Sequence, residues 1–278
     1  MKTGIIDVGG GLRGIYAAGI FDFCLDAGIH FDLGIGVSAG SANVISYIAG
    51  QKRRNYSFYT EYPFRKEYMS FRNLVLKKSY LDLDYIYGTL SNSGGENPLD
   101  YQSILKSTTG FIAVATNART GEAKYFDKTD VHQDDYSVLK ASSAIPFVCH
   151  PYEVCGIPYF DGALGDTVPI QKAFALGCDK VVLILSKPKD VLRTPQKDNF
   201  LAGRIQRKYP LAAEKLRHRA EQYNQGVALA KEYEKSGQVL IIAPDDACGV
   251  DTLTRDRDAL KRFYDKGYQD AKAMETFL

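Results

Sequence analysis

The sequence predicts an α/β fold, a three-layer sandwich with a mostly parallel central sheet and helices on both faces. Two observations carry this reading. The first fifty residues run strand, glycine turn, helix, and then repeat the pattern; repeated strand–helix units imply parallel strands joined by crossovers. Further along, the apolar runs "KVVLILS" (180–186) and "QVLIIAP" (238–244) have the character of strands buried on both faces.

Taken in order, Thr3 to Val8 reads as the first strand, and "GGGLRG" breaks it before a helix over Ile15 to Ala27. In that helix Ala17, Ala18, Phe21 and Leu25 fall near one face. Phe31 to Val37 is the second strand, and Ser41 to Gly50 a second helix closed by its glycine. "GFIAVATN" (110–117) and "AKYFD" (123–127) add strands, and helices are predicted over 133–142, 167–176, 211–235 and 255–276. No linker or low-complexity stretch interrupts these elements, so residues 1–278 read as one α/β domain carrying an insertion at about 51–100.

Composition narrows the function classes. With 45% hydrophobic and 24% charged residues, the chain has the balance of a soluble globular protein large enough to bury a sizeable core. A net charge of +2 implies no general attraction to nucleic acid. The five cysteines are odd in number and lack CxxC spacing, which argues against a disulfide framework or a metal site and for a reducing, cytoplasmic location. The N-terminus has no apolar core of secretion-signal length, and no run reaches the roughly 20 apolar residues of a spanning helix. Membranes, if visited, are contacted from outside.

The first half of the insertion is basic: residues 51–78 hold Lys52, Arg53, Arg54, Arg65, Lys66, Arg72, Lys77 and Lys78 against Glu61 and Glu67. Seven aromatics, from Tyr56 to Phe71, are interleaved with them. Two readings stand: a helical cap whose rings pack on the core while its charges face water, or a peripheral surface for anionic lipid headgroups.

The chemistry centres on "GIGVSAGSA" (34–42). Ser38, with Gly36 and Gly40 two residues to either side, sits where a strand ends and a helix begins, which is the pattern of a nucleophile elbow. The alternative is a small residue in a tight turn. Acyl transfer also needs N–H donors for an oxyanion, and "GGGLRG" (Gly9, Gly10, Gly11, Arg13, Gly14) is suited to supply them from the same sheet edge. A phosphate cradle is the rival for that loop, but the spacing departs from G-x-G-x-x-G and no Gly-Lys-Ser/Thr follows.

For a base, the four histidines fit poorly. His218 lies in the charged stretch "EKLRHRAEQ", and His150 precedes Pro151 at an apolar strand start. "YFDGALGDTVPI" (159–170) offers Asp161 instead, at the end of an extended segment on the Gly162 turn. Asp161 either shapes its own turn or takes the Ser38 proton.

Together, "GGGLRG", "GVSAGS" and "DGA" resemble the patatin-like phospholipase family, and the likeness extends through "ATNARTGEAKYF" (115–126) to about residue 186. The tail "LTRDRDALKRFYDKGYQDA" (253–271) is similar to the C-terminal helices of bacterial members, a helical extension over about 253–278. The resemblance implies a patatin-like fold and a lipid acyl hydrolase that uses a serine–aspartate dyad without histidine, metal or cofactor. It implies Ser38 as nucleophile, Asp161 as base, Gly9, Gly10, Gly11, Arg13 and Gly14 as the oxyanion loop, and a lipid or acyl-ester substrate. A thioesterase or acyltransferase working on acyl-CoA or simple esters, or a non-catalytic lipid-binding module, remains open at this point.

Overall fold

The computed structural model describes residues 1–278. In chain order the elements are β1 (Thr3–Asp7), α1 (Ile15–Ala27), β2 (Leu33–Val37), α2 (Ala39–Ile48), α3 (Arg54–Thr60), α4 (Phe71–Lys77), α5 (Tyr101–Lys106), β3 (Gly110–Asn117), β4 (Ala123–Asp127) and α6 (Ser137–Ser143). There follow β5 (Tyr152–Val154), β6 (Ile157–Asp161), α7 (Ile170–Ala175), β7 (Lys180–Ile184), α8 (Gln196–Ile205), α9 (Pro210–Lys235), β8 (Val239–Ile242), α10 (Arg257–Asp270) and α11 (Met274–Phe277).

The eight strands form one sheet whose parallel part runs β3-β2-β1-β7-β8. Side chains alternate across it as a strand's period of two requires. Ile5, Ala113 and Val182 enter a core of 49 buried residues under α1, α2 and α10, while Ile6, Val114 and Leu183 enter a core of 19 under α7 and α9. The sheet is therefore covered on both faces, as the apolar strands predict. No helix is long and apolar enough to cross a membrane.

β3 is the branch point that builds the site. β4 pairs antiparallel with Ile112 to Thr116 along one edge of β3, so β2 and β6 must share the other. They meet there end to end: Val37, the last residue of β2, lies opposite Val114, and Asp161, the last of the antiparallel β6, lies opposite Ala115. The residue that follows Val37 is Ser38.

Two helix contacts depend on glycine. Gly34 leaves room for Val44 of α2 to pack directly on β2. Gly19 of α1 and Gly267 of α10 each meet the other helix's backbone, where a Cβ would collide. Around that crossing Tyr16 donates to Asp270 at 2.7 Å, Tyr264 donates to Asp22 at 2.6 Å, and Tyr16 stacks on Phe263.

Most predicted elements recur within a residue or two. The differences are local. α2 starts at Ala39 rather than Ser41, the β5–β6 hairpin and α8 were not anticipated, and the predicted 255–276 helix is α10, a tight turn at Ala271–Ala273 and α11. In 51–78 the charges are largely engaged within the protein. Arg54 is buried on the Ser46 and Ser91 hydroxyls, Arg53 lies over Tyr56, and Lys52, Arg65 and Lys77 pair with Asp26, Glu96 and Asp82. The first half is thus a cap on the core; only α4 turns outward, with Phe71, Val75 and Leu76 each more than 60% exposed.

Candidate active site

The ends of β1, β2, β7 and β8 lie on one edge of the sheet, the usual position for a site in parallel α/β folds. Ser38 takes φ 58 and ψ −131 between β2 and α2. For a residue with a Cβ this conformation costs on the order of 1–3 kcal/mol and persists only where neighbours enforce it. Its N–H donates to the Ser142 hydroxyl at 3.1 Å, and its carbonyl accepts from the Ser41 hydroxyl at 2.7 Å. Gly36 and Gly40 permit the turn: a Cβ on Gly36 would lie 2.6 Å from the Gly40 carbonyl carbon, and one on Gly40 would lie 2.8 Å from Asp7 Cγ.

Asp161 is 2% exposed. Its Oδ1 accepts the Ala163 N–H at 2.8 Å across the Gly162 turn, and its carbonyl accepts from Thr116 Oγ1. Gly162 is needed because a Cβ there would run into the Val114 backbone. Burial pushes the Asp161 carboxyl above the usual carboxylate range, while the facing Ser38 hydroxyl, the Ala163 N–H, and the charges of Arg219 and Arg193 pull it back. A carboxylate held this way is a stronger proton acceptor than one in water, yet stays able to ionise.

The glycine loop divides its labour. Gly9, Gly10 and Gly11 all take positive φ, which lets the chain fold back over the elbow. The Gly9 N–H donates to Asp7 Oδ1 at 2.8 Å, so it is occupied rather than aimed at an oxyanion. The N–H groups of Gly10 and Gly11 have no acceptor in the protein, and neither does that of Ala39 at the start of α2. Gly14 lies beneath the Tyr59 hydroxyl, where its role is close packing. The Arg13 guanidinium donates to Asp251 at 2.5 Å and to Thr252 at 2.9 Å. The loop reading of "GGGLRG" therefore narrows to Gly10 and Gly11 as free donors, with Gly9, Arg13 and Gly14 holding the loop in place.

Behind the loop, buried Asp7 accepts from Asn43 Nδ2 at 2.8 Å as well as from Gly9, and burial lifts its pKa to about 6. Asn43 in turn donates to the Gly14 carbonyl. Neither residue nor Ala39 was singled out from sequence; the position of Ala39, directly after the elbow serine, is the one signal that could have found it. No histidine lines the cavities at Ser38: His150 bonds Ser79 and stacks on Tyr152, and His218 is exposed beside Glu221 on α9.

Two cavities open on Ser38. One is walled by apolar side chains including Leu12, Phe58, Met69, Leu83 and Ile86. The wall of the other carries charges of both signs: the carboxylates of Asp161, Asp198 and Asp251 and the cations Arg13, Lys187, Arg193, Lys197 and Arg219. A model of patatin-like phospholipases matches residues 8–174, more than half of the chain. The chain belongs to the patatin-like phospholipase family. Residues 209–276 of this patatin-like protein also match a domain of unknown function, which here comprises α9, β8, α10 and most of α11. An Escherichia coli (strain K12) relative, the uncharacterized protein YjjU, is 29% identical over 200 residues, covering 70% of this chain and 55% of YjjU. The patatin-like chain thus spans about half the length of that relative. Among solved structures, VipD from Legionella pneumophila aligns with a TM-score of 0.49 and 13% identity, covering 98% of this chain and 66% of VipD.

Proposed function

We propose that this patatin-like protein hydrolyses carboxylic esters of lipids through an acyl-Ser38 intermediate, with Asp161 as the proton acceptor. The observation that carries the reading is the end-to-end meeting of β2 and β6 on β3, which sets Ser38 and Asp161 face to face. In acylation the Ser38 oxygen attacks the ester carbonyl, its proton passes to Asp161, and Asp161 returns it to the departing alkoxide. The carbonyl oxygen, as it gains charge, is met by the N–H groups of Gly10, Gly11 and Ala39. Water then attacks the acyl-enzyme, gives its proton to Asp161, and releases fatty acid and free Ser38. The apolar walls of the cavity suit an acyl chain.

In this reading residues 1–278 work as one unit, since α10 from the C-terminal region packs on α1. α4 is a peripheral contact with a lipid surface. Met69 and Leu81, which bridge each other on either side of α4, line the apolar cavity, and Phe71, Val75 and Leu76 are exposed on α4 itself with Arg72 and Lys78 beside them in sequence. Purified protein incubated with short-chain p-nitrophenyl esters and with a defined lipid mixture tests the proposal. Fatty acid release should be lost on Ser38→Ala and fall by about four orders of magnitude on Asp161→Asn. Undiminished hydrolysis by Ser38→Ala would overturn it.

A further inference from the structure

The strained conformation of Ser38 is held by the peptides on either side of it. In the Val37–Ser38 peptide the carbonyl presses on the glycine loop, where a Cβ on Gly9 would collide with it. The N–H of the same planar peptide donates to Ser142 Oγ at 3.1 Å. Beyond Ser38, its own carbonyl accepts the Ser41 hydroxyl at 2.7 Å and the Ser41 N–H at 3.0 Å. With both flanking peptides fixed, φ and ψ are fixed, and with them the direction of the Cα–Cβ bond that carries the hydroxyl.

Of these partners Ser142 alone comes from neither the elbow nor the glycine loop. It lies fully buried near the end of α6, 104 residues further along the chain. The helix stops at Ser143, and Ala144 leaves the helical conformation at ψ 78, which frees its carbonyl from the helix. That carbonyl accepts the Asp161 N–H at 2.9 Å, while Thr116 Oγ1 donates to the Asp161 carbonyl at 2.8 Å. β2 and β6 each pair with β3 and not with each other. Residues 142–144 therefore bridge the two strand ends, with one hydrogen bond to the backbone of Ser38 and one to that of Asp161. α6 is itself tied to the insertion: Lys140 pairs with Asp84 at 2.6 Å, and the Ser143 hydroxyl meets the Tyr87 hydroxyl at 3.2 Å.

We infer that Ser142 is a positioning residue: its hydroxyl holds the Ser38 peptide while Ala144 holds Asp161, so one short segment sets the spacing of nucleophile and base. The inference rests on the acyl hydrolase reading above and adds a residue to it. Without the Ser142 oxygen, the Ser38 N–H would be left buried with no acceptor. Rotation of the Val37–Ser38 peptide would relieve that cost and the strain at Ser38, and would redirect the nucleophile. A displacement near 1 Å at a reacting atom costs about a hundredfold in rate. The loss should fall on kcat, because Ser142 is absent from the walls of both cavities that open on Ser38.

Ser142→Thr and Ser142→Val test this as a pair of nearly equal shape, of which only threonine keeps the oxygen. On short-chain p-nitrophenyl esters, kcat of Ser142→Val should fall about ten- to a hundredfold below that of Ser142→Thr, with KM within about twofold. Labelling of Ser38 by a fluorophosphonate should slow in parallel. Melting curves report folding, and Ser142→Ala, which adds no volume, gives the same comparison against the wild type should the larger side chains prevent folding. Equal kcat and labelling rates in the threonine and valine proteins, or a Ser142→Ala protein that melts lower with undiminished kcat, overturns the positioning role and leaves the acyl hydrolase reading standing. Wild-type protein that neither hydrolyses these esters nor takes the label defeats the acyl hydrolase reading itself.

Discussion

A single methyl group at Gly40 should separate the two loops of the site. The Cβ of Gly40→Ala would lie 2.8 Å from Asp7 Cγ and 2.9 Å from the Asp7 carbonyl carbon, where ordinary carbon contacts are about 3.5–4.0 Å. Either α2 or the end of β1 must therefore move by about 0.6–1.2 Å. Asp7 cannot yield freely, because its carboxylate holds the Gly9 N–H and Asn43. Displacing it shifts the glycine loop, and with it Gly10 and Gly11, relative to Ser38. Overpacking of this kind costs about 1–3 kcal/mol of stability, and a misplacement near 1 Å costs about a hundredfold in rate. The control is Gly203→Ala on α8, where nothing lies within 4 Å of the new Cβ and the helix should gain about 0.5–1 kcal/mol. Thermal melts and p-nitrophenyl ester kinetics on both variants give the comparison. A Gly40→Ala protein with wild-type kcat and melting temperature would refute the coupling of Asp7, the loop and the elbow.

Further outcomes follow from the same geometry. Because burial raises the Asp161 pKa, the base is lost as pH falls through a value above the ordinary 3.8, and kcat/KM should show an acid limb there. Removing a positive charge that lowers this pKa, as in Arg219→Gln, should move the limb to higher pH; a limb that stays or moves down contradicts the assignment. Phe71→Ser with Val75→Ser should weaken sedimentation with anionic vesicles by about tenfold while melting as the wild type does, and unchanged binding would remove α4 from the membrane contact.

How far the sequence could be read depended on range. The strands with continuous apolar runs and the glycines at sharp turns were legible, because backbone sterics and burial act locally at Thr3–Asp7, Gly9–Gly11 and Gly36–Gly40. The proposed pairing of Ser38 with Asp161 was one of two open readings of the residues themselves, and the resemblance to a family chose between them. Its physical cause, the sharing of one β3 edge by β2 and β6, depends on pairings over 40 to 80 residues that no local pattern records. The basic stretch 51–78 invited a surface reading, yet Arg54 is buried, Lys52 and Arg65 are paired with carboxylates 26 and 31 residues away, and Lys77 is paired with the buried Asp82.

The dyad is tested most directly by the rate at which a fluorophosphonate labels the protein, followed by mass spectrometry of the modified peptide. The account predicts stoichiometric modification at Ser38, slowed by orders of magnitude in Asp161→Asn with the fold intact. Labelling at another residue, or at Ser38 with an undiminished rate in Asp161→Asn, would contradict it.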